Sequence, residues 1–382
     1  MIKPILKLLR FVLEIMIAIT PCWNQKYINR YKLVIIKIDG IGDYVIAERF
    51  LQELAIKNQP TLLITSHHTE SLAENTGFYD VLALNTKNYS SNIIYRLKTI
   101  RTLSKIKCET LVVPIASRFF TITDSVAKAV KANKKYGIRG NYSNMSKFEA
   151  KFGDKIYRDL YLPPCDNLHE IILLRNFYLF ITGSLLDTKD SQLMDVAPSI
   201  EKKTTNYSAK SYAVIAPGSS NSKKNWHPSS FKQIAHYLYE QEFKIVFIGT
   251  SEERQTAVDI ARGIPSGMVD IICGITDLKE STEIIRNSRI FIGNDSAMMH
   301  VAVALGIDTV CVGGGGHWGR FIPYPAEATT VGPKVITTKM NCFNCNWRCS
   351  IDHPENEAYP CISMVSVDSV KTVVSDLLKI SG

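Results

Sequence analysis

Phe291 to Leu305 reads F-I-G-N-D-S-A-M-M-H-V-A-V-A-L: an apolar strand that stops at Asn294 and turns into an apolar helix. The run Ser288-Arg-Ile-Phe-Ile-Gly293 before that stop is β-branched and aromatic, the composition of a strand. Asp295-Ser296 has the composition of a helix N-cap. A strand that passes into a helix N-terminus leaves backbone N–H groups unpaired and directed outward. Together with the positive end of the helix dipole they suit phosphate. A carboxylate at Asp295 would hold sugar hydroxyls and would repel a phosphate turned toward it. His300 falls one helical turn after Ser296, on the same face. An ordinary capped helix with a packed histidine has the same signature, so the flanking chain has to decide.

Upstream, strand and helix alternate regularly. Tyr212–Ala216 is a strand, Ser229–Tyr239 a helix, Phe243–Gly249 a strand, Glu252–Ile260 a helix, Asp270–Gly274 a strand and Leu278–Asn287 a helix. Downstream, Thr309–Gly313 is a further strand running into the glycine stretch Gly313–Gly316. The same rhythm opens the chain. Tyr31–Ile38 is a buried strand, Asp39-Gly-Ile-Gly-Asp43 a glycine turn, and an apolar-periodic helix follows. Thr61–Thr65, Val81–Leu84 and Thr110–Pro114 read as strands, Ile93–Ile106 as a basic helix, Lys134–Tyr161 as irregular, and His169–Leu186 as a helix.

The fold expected is α/β: two Rossmann-like domains facing a cleft, with strand-end loops turned toward it. The expected division is an amphipathic segment over 1–24, an N-terminal acceptor domain over 25–186 and a linker over 187–211. A nucleotide-sugar domain then occupies 212–382, with a Cys-rich segment at 342–361 and a terminal helix. A length of 382 residues agrees with two domains.

Net charge is +9, and the excess is uneven. Lys87 to Arg139 holds twelve Lys and Arg against two acids, and the first 32 residues six against one. Such surface attracts anionic lipid or phosphorylated glycan. The interleaved aromatics and motifs of a nucleic-acid reader are missing, so no nucleic-acid partner is expected. Nine cysteines, clustered toward the end, do not form the framework of a small secreted domain and fit a reducing, cytoplasmic setting. Near the start, Phe11 to Ile19 is short and broken by Glu14, a poor membrane span. Its helical spacing reads as an amphipathic helix, lying on a membrane or packed on the body, with a signal peptide as the third reading.

Four strand-end loops carry groups suited to chemistry. They supply Asp43 beside Gly40 and Gly42; Ser219, Ser220 and Lys224; Asp295, Ser296 and His300; and the run around Gly314, a flexible loop near a donor. Hydroxyls, a lysine and a helix N-terminus suit a diphosphate, which Asp43 would face from the opposite domain as a lone acid. That pairing suits displacement at the carbon bearing the diphosphate: the carboxylate takes the proton of an attacking hydroxyl while cations and N–H groups stabilise the leaving group. Trp226 reads as a core anchor. Cys342, Cys345, Cys349 and Cys361 have a spacing that suits zinc held by four thiolates, or a reduced thiol cluster.

From Lys32 to Leu378 the chain resembles family 9 glycosyltransferases, the ADP-heptose:lipopolysaccharide heptosyltransferases. Four motifs carry the resemblance in order: I-D-G-I-G-D43; P-G-S-S with Lys224 two before Trp226; G-N-D-S-A-M-M-H300 with V-A-V-A-L-G306; and the terminal cysteines. The family usually has a small hydroxyl residue where Asp39 stands, and often glycine where Ala297 stands. The resemblance implies a GT-B fold and inverting, metal-independent transfer of a sugar, heptose by default, from a nucleotide-diphosphate donor. The acceptor would be a lipopolysaccharide core or other anionic glycolipid, reached from the cytoplasmic side by peripheral contact with the inner membrane, and no cofactor is required.

On the family pattern Asp43 would be the base, Lys224, Ser219 and Ser220 would hold the donor phosphates, and Asp295 would bind sugar hydroxyls. Ser296, the backbone of Ala297 and Met298, and His300 would cradle the diphosphate, with Glu252 or Glu253 on the ribose. The alternatives are transfer of another sugar, a nucleotide-sugar epimerase, and a non-catalytic nucleotide-binding scaffold.

Overall fold

The computed structural model describes residues 29–165, 167–186, 211–327, 329–330 and 332–379. The expected segment 1–24 and all but Ser211 of the expected linker lie outside the described residues. Among those residues no helix is long and apolar enough to cross a membrane.

Two six-stranded sheets form, and every strand pair in them is parallel. The first contains β1 (Asn29–Lys37), β2 (Thr61–Ser66), β3 (Asp80–Leu84), β4 (Ile106–Val113), β5 (Lys131–Ile138) and β6 (Asp159–Tyr161), in the order β3-β2-β1-β4-β5-β6. The second contains β7 (Tyr212–Ala216), β8 (Lys244–Phe247), β9 (Val269–Ile271), β10 (Ile290–Asn294), β11 (Asp308–Val312) and β12 (Lys334–Ile336). Its order, β9-β8-β7-β10-β11-β12, repeats the first. This is the doubly wound order with one switch point per sheet, where the chain reverses direction across the sheet and strand-end loops part to admit a ligand. Those points fall between β1 and β4 and between β7 and β10.

The strands read as continuous apolar runs because both faces are covered. Ala213, Ile215, Ile245, Phe247, Ile290, Ile292 and Val310 belong to one core, with Trp226 among them as the expected anchor, 1% exposed. Val34, Ile36, Leu62, Ile64, Leu111 and Val113 belong to another.

Lys134–Tyr161, expected to be irregular, instead contains β5, the helix Lys147–Gly153 and β6. β5 hides from periodicity because Lys131, Lys134 and Lys135 interrupt its apolar residues; its ladder to β4 and β6 makes it a strand. The helix after it starts at a capping box, in which Ser146 and Glu149 exchange hydrogen bonds. The expected basic helix forms over Ile93–Leu103, with Ile106 already in β4, and a short helix, Thr86–Ser91, precedes it; each is capped by an asparagine side chain.

Asp39 has a local reason. The buried Lys37 ammonium at the end of β1 meets its carboxylate at 2.8 Å, so Asp39 is the counter-ion that burial of a lysine demands.

The chain divides into two compact units. Among the described residues, one comprises 29–39, 50–165 and 176–185; the other comprises 40–49, 167–175, 186 and the described residues from 211 to 379. The turn and helix start that carry Asp43 therefore pack with the second unit.

Candidate functional site

The switch point between β7 and β10 is tied together by Asn294, the last residue of β10. Its amide accepts from Trp226 N–H at 2.9 Å and donates to the Pro217 carbonyl at 2.7 Å, so the loop after β7 is held against the end of β10. On that platform the Lys224 ammonium lies 2.8 Å from the Asp295 carboxylate, with the two side chains only 17% and 13% exposed. Burial pushes the Asp295 carboxyl up, but the Lys224 ammonium and the His300 ring outweigh it and hold it below the usual carboxylate range. Asp295 is thus an anion with a cation already beside it.

Ser296 is the N-cap of the helix Ala297–Ala304, yet its hydroxyl makes no capping bond. Its Oγ is buried and has no hydrogen-bond partner among the described residues. A buried hydroxyl without a partner is uncommon, and here it sits at a helix N-terminus, where an anion is favoured.

His300 follows one turn later. Burial pushes its pKa down against the pull of Asp295 and Asp43, so the ring is neutral at pH 7. Nε2 lies 3.8 Å from the Asp295 carboxylate, and Nδ1 meets the Tyr324 hydroxyl at 2.8 Å. Burial keeps Tyr324 protonated. In the tautomer where the phenol donates to Nδ1, the ring proton lies on Nε2, on the Asp295 side, as a donor.

Asp43 enters through the same histidine. It lies in the first turn of the helix Ile41–Lys57, and its charge is felt by His300. Gly42 permits this approach, since a Cβ there would stand 2.9 Å from the His300 ring. At Gly40 a Cβ would stand 2.9 Å from the Asp43 carboxylate. Two carboxylates, Asp43 and Asp295, therefore act on one neutral imidazole.

The remaining candidates are placed less directly. Ser219 Oγ bonds within its own loop, to the Asn221 carbonyl and the Asn225 amide, while Ser220 is exposed. Glu252 is exposed and accepts from Ser251. Glu253 caps its turn, accepting from Thr250 N–H, and occupies the space a Gly218 Cβ would need.

The glycine run is packed by aromatic rings where a flexible loop was expected. A Cβ at Gly315 would meet the Phe343 ring at 2.1 Å, and one at Gly316 the Trp347 ring at 2.3 Å. Cys342, Cys345, Cys349 and Cys361 line one pocket with those glycines, Phe343, Trp347 and Tyr359. Burial and the three neighbouring thiols push the Cys361 thiol up, which reports their closeness. Among the described residues no three His, Cys, Asp or Glu are already set at metal-binding geometry.

Sequence reading missed Tyr324, Trp347, His317 and His169, which reach this neighbourhood from loops and helix ends without a periodic or motif signal. His169 caps the helix Glu170–Thr182. Its Nδ1 accepts from Ile171 N–H at 3.2 Å, so Nε2 carries the proton and donates to the Phe321 carbonyl at 3.1 Å. Both nitrogens are satisfied only in the neutral ring, and burial pushes the pKa down to about 4. A folded-state pKa below the unfolded value gives stability that is present above about pH 6.5 and lost as pH falls toward 4, up to about 3 kcal/mol. Urea titrations across that window are expected to show this loss, and His169→Gln to remove one proton's worth of the slope. An unchanged slope would refute the assignment.

The model of glycosyltransferase family 9 (heptosyltransferase) matches residues 126–348, more than half of the chain. A lipooligosaccharide heptosyltransferase 2 from Haemophilus influenzae is 23% identical over 124 residues, 31% of this chain and 36% of that relative. The match thus spans about a third of the relative's length. Among solved structures, E. coli heptosyltransferase WaaC with ADP-2-deoxy-2-fluoro heptose has a TM-score of 0.67 at 13% identity, covering 91% of this chain and 99% of that one. The iron-containing dodecameric glycosyltransferase TibC from enterotoxigenic E. coli has a TM-score of 0.52 at 15% identity, covering 93% and 78%. At these identities the structures report the fold, which is GT-B.

Proposed function

We propose that this chain, which belongs to glycosyltransferase family 9, transfers a heptose from ADP-heptose to a lipopolysaccharide core or related anionic glycan, with inversion and without a catalytic metal. The observation that carries this reading is the cluster at the β7–β10 switch point. A partly buried Lys224–Asp295 pair stands beside a helix N-terminus whose buried Ser296 hydroxyl has no partner among the described residues. A donor diphosphate supplies what the cluster lacks: an anion for Lys224, for the N–H groups of Ala297 and Met298, for the Ser296 hydroxyl and for His300 Nε2–H. Asp295, drawn off Lys224, then accepts from sugar hydroxyls.

The chemical step uses Asp43. Its carboxylate takes the proton of the acceptor hydroxyl as that oxygen attacks the anomeric carbon, and the bond from that carbon to the diphosphate oxygen breaks with its electron pair going to ADP. Attack from the face opposite ADP inverts the anomeric centre. The developing charge on ADP is met by Lys224, His300 and the helix N-terminus. His300 serves here as a neutral donor, which its depressed pKa favours.

On the same reading Ser219 and Ser220 line the phosphate side, Ser219 by shaping its loop. Glu252 lies toward the ribose, and Gly314 lies near the donor.

The acceptor and membrane side rests on the first unit. On the helix Lys147–Gly153, Phe148 and Phe152 are exposed, with exposed Lys147 and Lys151 on the same helix and Lys155 just beyond it. Exposed aromatics among lysines suit an anionic membrane surface. The enzyme would work there peripherally, on the cytoplasmic side of the inner membrane.

The four cysteines have the donor chemistry of a structural ion, which would draw them into coordinating geometry. A thiolate set in an apolar pocket suits zinc or iron, and positive charge would offset both the burial and the neighbouring thiols that raise Cys361. Such an ion would fix the segment's fold; the transfer step itself uses the protein's own residues.

A thermal-shift panel tests the donor. ADP-heptose and ADP are expected to raise Tm, and UDP- and GDP-sugars to leave it unchanged. Stabilisation by a UDP- or GDP-sugar alone would overturn the assignment of the donor.

A further inference from the structure

The Cys-rich segment is bonded to two donor-side loops. Asn344 N–H donates to the Gly315 carbonyl at 2.7 Å, Asn346 N–H to the Gly316 carbonyl at 2.9 Å, and Tyr359 N–H to the Lys223 carbonyl at 2.9 Å. Trp347 stands at the centre of these contacts. Its face lies 4.7 Å from the Lys224 ammonium, its indole N–H donates to His317, and its carbonyl accepts from the Tyr359 hydroxyl. The backbone there takes positive φ at Asn344, Asn346 and Trp347, so the turn presents the indole at a conformational cost.

Lys224 therefore has two partners, and they differ in what a donor does to them. The Asp295 carboxylate competes with a diphosphate for the ammonium. The indole face does not compete, because a cation over an aromatic ring keeps its N–H groups free for an anion. With Asp295 alone, the ammonium would be held in the ion pair or would swing into water. A ring on its other side gives it a fixed seat from which it can change anionic partners.

We infer that Trp347 is a positioning residue for Lys224, and that through it the Cys342–Cys361 segment is a working part of the donor site rather than a remote structural element. The inference rests on the proposed role of Lys224 as a phosphate ligand.

A double-mutant cycle on the full chain, read as ADP affinity by calorimetry, tests it. Trp347→Leu is expected to weaken ADP binding roughly ten-fold, and Trp347→Phe, which keeps a ring face, to recover most of that loss. In a Lys224→Ala background, Trp347→Leu should cost nothing further. A merely structural tryptophan would weaken ADP equally in both backgrounds, and that result would overturn the inference. So would a Trp347→Leu protein that binds ADP as wild type does. If instead Lys224→Ala alone left ADP affinity unchanged, the phosphate-site reading would fail first. Cysteine reactivity toward a thiol reagent, measured on each variant, separates loss of the indole from collapse of the segment. Reactivity at the wild-type level with weakened binding supports the seat. Weakened binding seen only where the thiols become newly exposed contradicts it.

Discussion

Asp43→Asn is expected to lower the turnover of sugar transfer by about 10²- to 10⁴-fold, the range a positioned general base contributes, while ADP affinity stays near the wild-type value. The substitution is close to isosteric, so the helix start at Ile41 and the fit of Gly42 against the His300 ring are retained. What disappears is the ability to accept a proton. Asp43 bears on His300 electrostatically, so its loss also removes one influence that raises the His300 pKa. The ring is neutral already and stays so, which is why binding should survive. Steady-state turnover set beside calorimetric ADP affinity separates the two effects. An Asp43→Asn enzyme that kept most of its turnover would remove Asp43 from the mechanism. A parallel fall in affinity would make it a binding residue.

Lys224→Ala should have the second large effect, on the donor. A charge-assisted contact to phosphate is worth about 1.5–3 kcal/mol, and here its loss has a second consequence. Asp295 is only 13% exposed and has Lys224 at 2.8 Å as its counter-ion. Without it, an uncompensated carboxylate faces the incoming diphosphate. The two effects together predict ADP binding weaker by about 10²-fold or more. The double variant Lys224→Ala/Asp295→Ala should then bind ADP better than Lys224→Ala alone, because the repelling charge is gone. Its turnover should not recover, since the contact to the sugar is lost with Asp295. A double variant binding no better than the single one would show that the two side chains do not share the site.

The fold was legible wherever strands are buried on both faces. Apolar runs such as Tyr212–Ala216 and Ile290–Asn294 could serve no other purpose, and the glycine turns after them mark strand ends. It was illegible where tertiary pairing overrides local pattern. β5 carries three lysines and exists because β4 and β6 flank it. The helix Lys147–Gly153 did have a readable signal, the Ser146-to-Glu149 capping box, hidden among basic and aromatic neighbours.

At the site, Asp295, Ser296, His300 and Lys224 were readable because they sit at fixed offsets from strand ends. Tyr324, His169 and Trp347 were not. Each reaches the cluster from a loop or helix end distant in sequence, through ring and hydrogen-bond contacts that only the folded chain creates. The buried, unpartnered Ser296 hydroxyl is likewise a three-dimensional fact. The sequence was open there to an ordinary capped helix and to a diphosphate cradle, and the missing cap bond is what makes the serine informative.

The most direct test is transfer itself. Purified enzyme, ADP-heptose and a lipopolysaccharide core lacking heptose are incubated, and the glycan is weighed by mass spectrometry as ADP is quantified. The account predicts a gain of one heptose per acceptor, one ADP released for each, and no release when the acceptor is omitted. ADP released without any change in acceptor mass, or an acceptor modified from a UDP- or GDP-sugar but not from ADP-heptose, would contradict it.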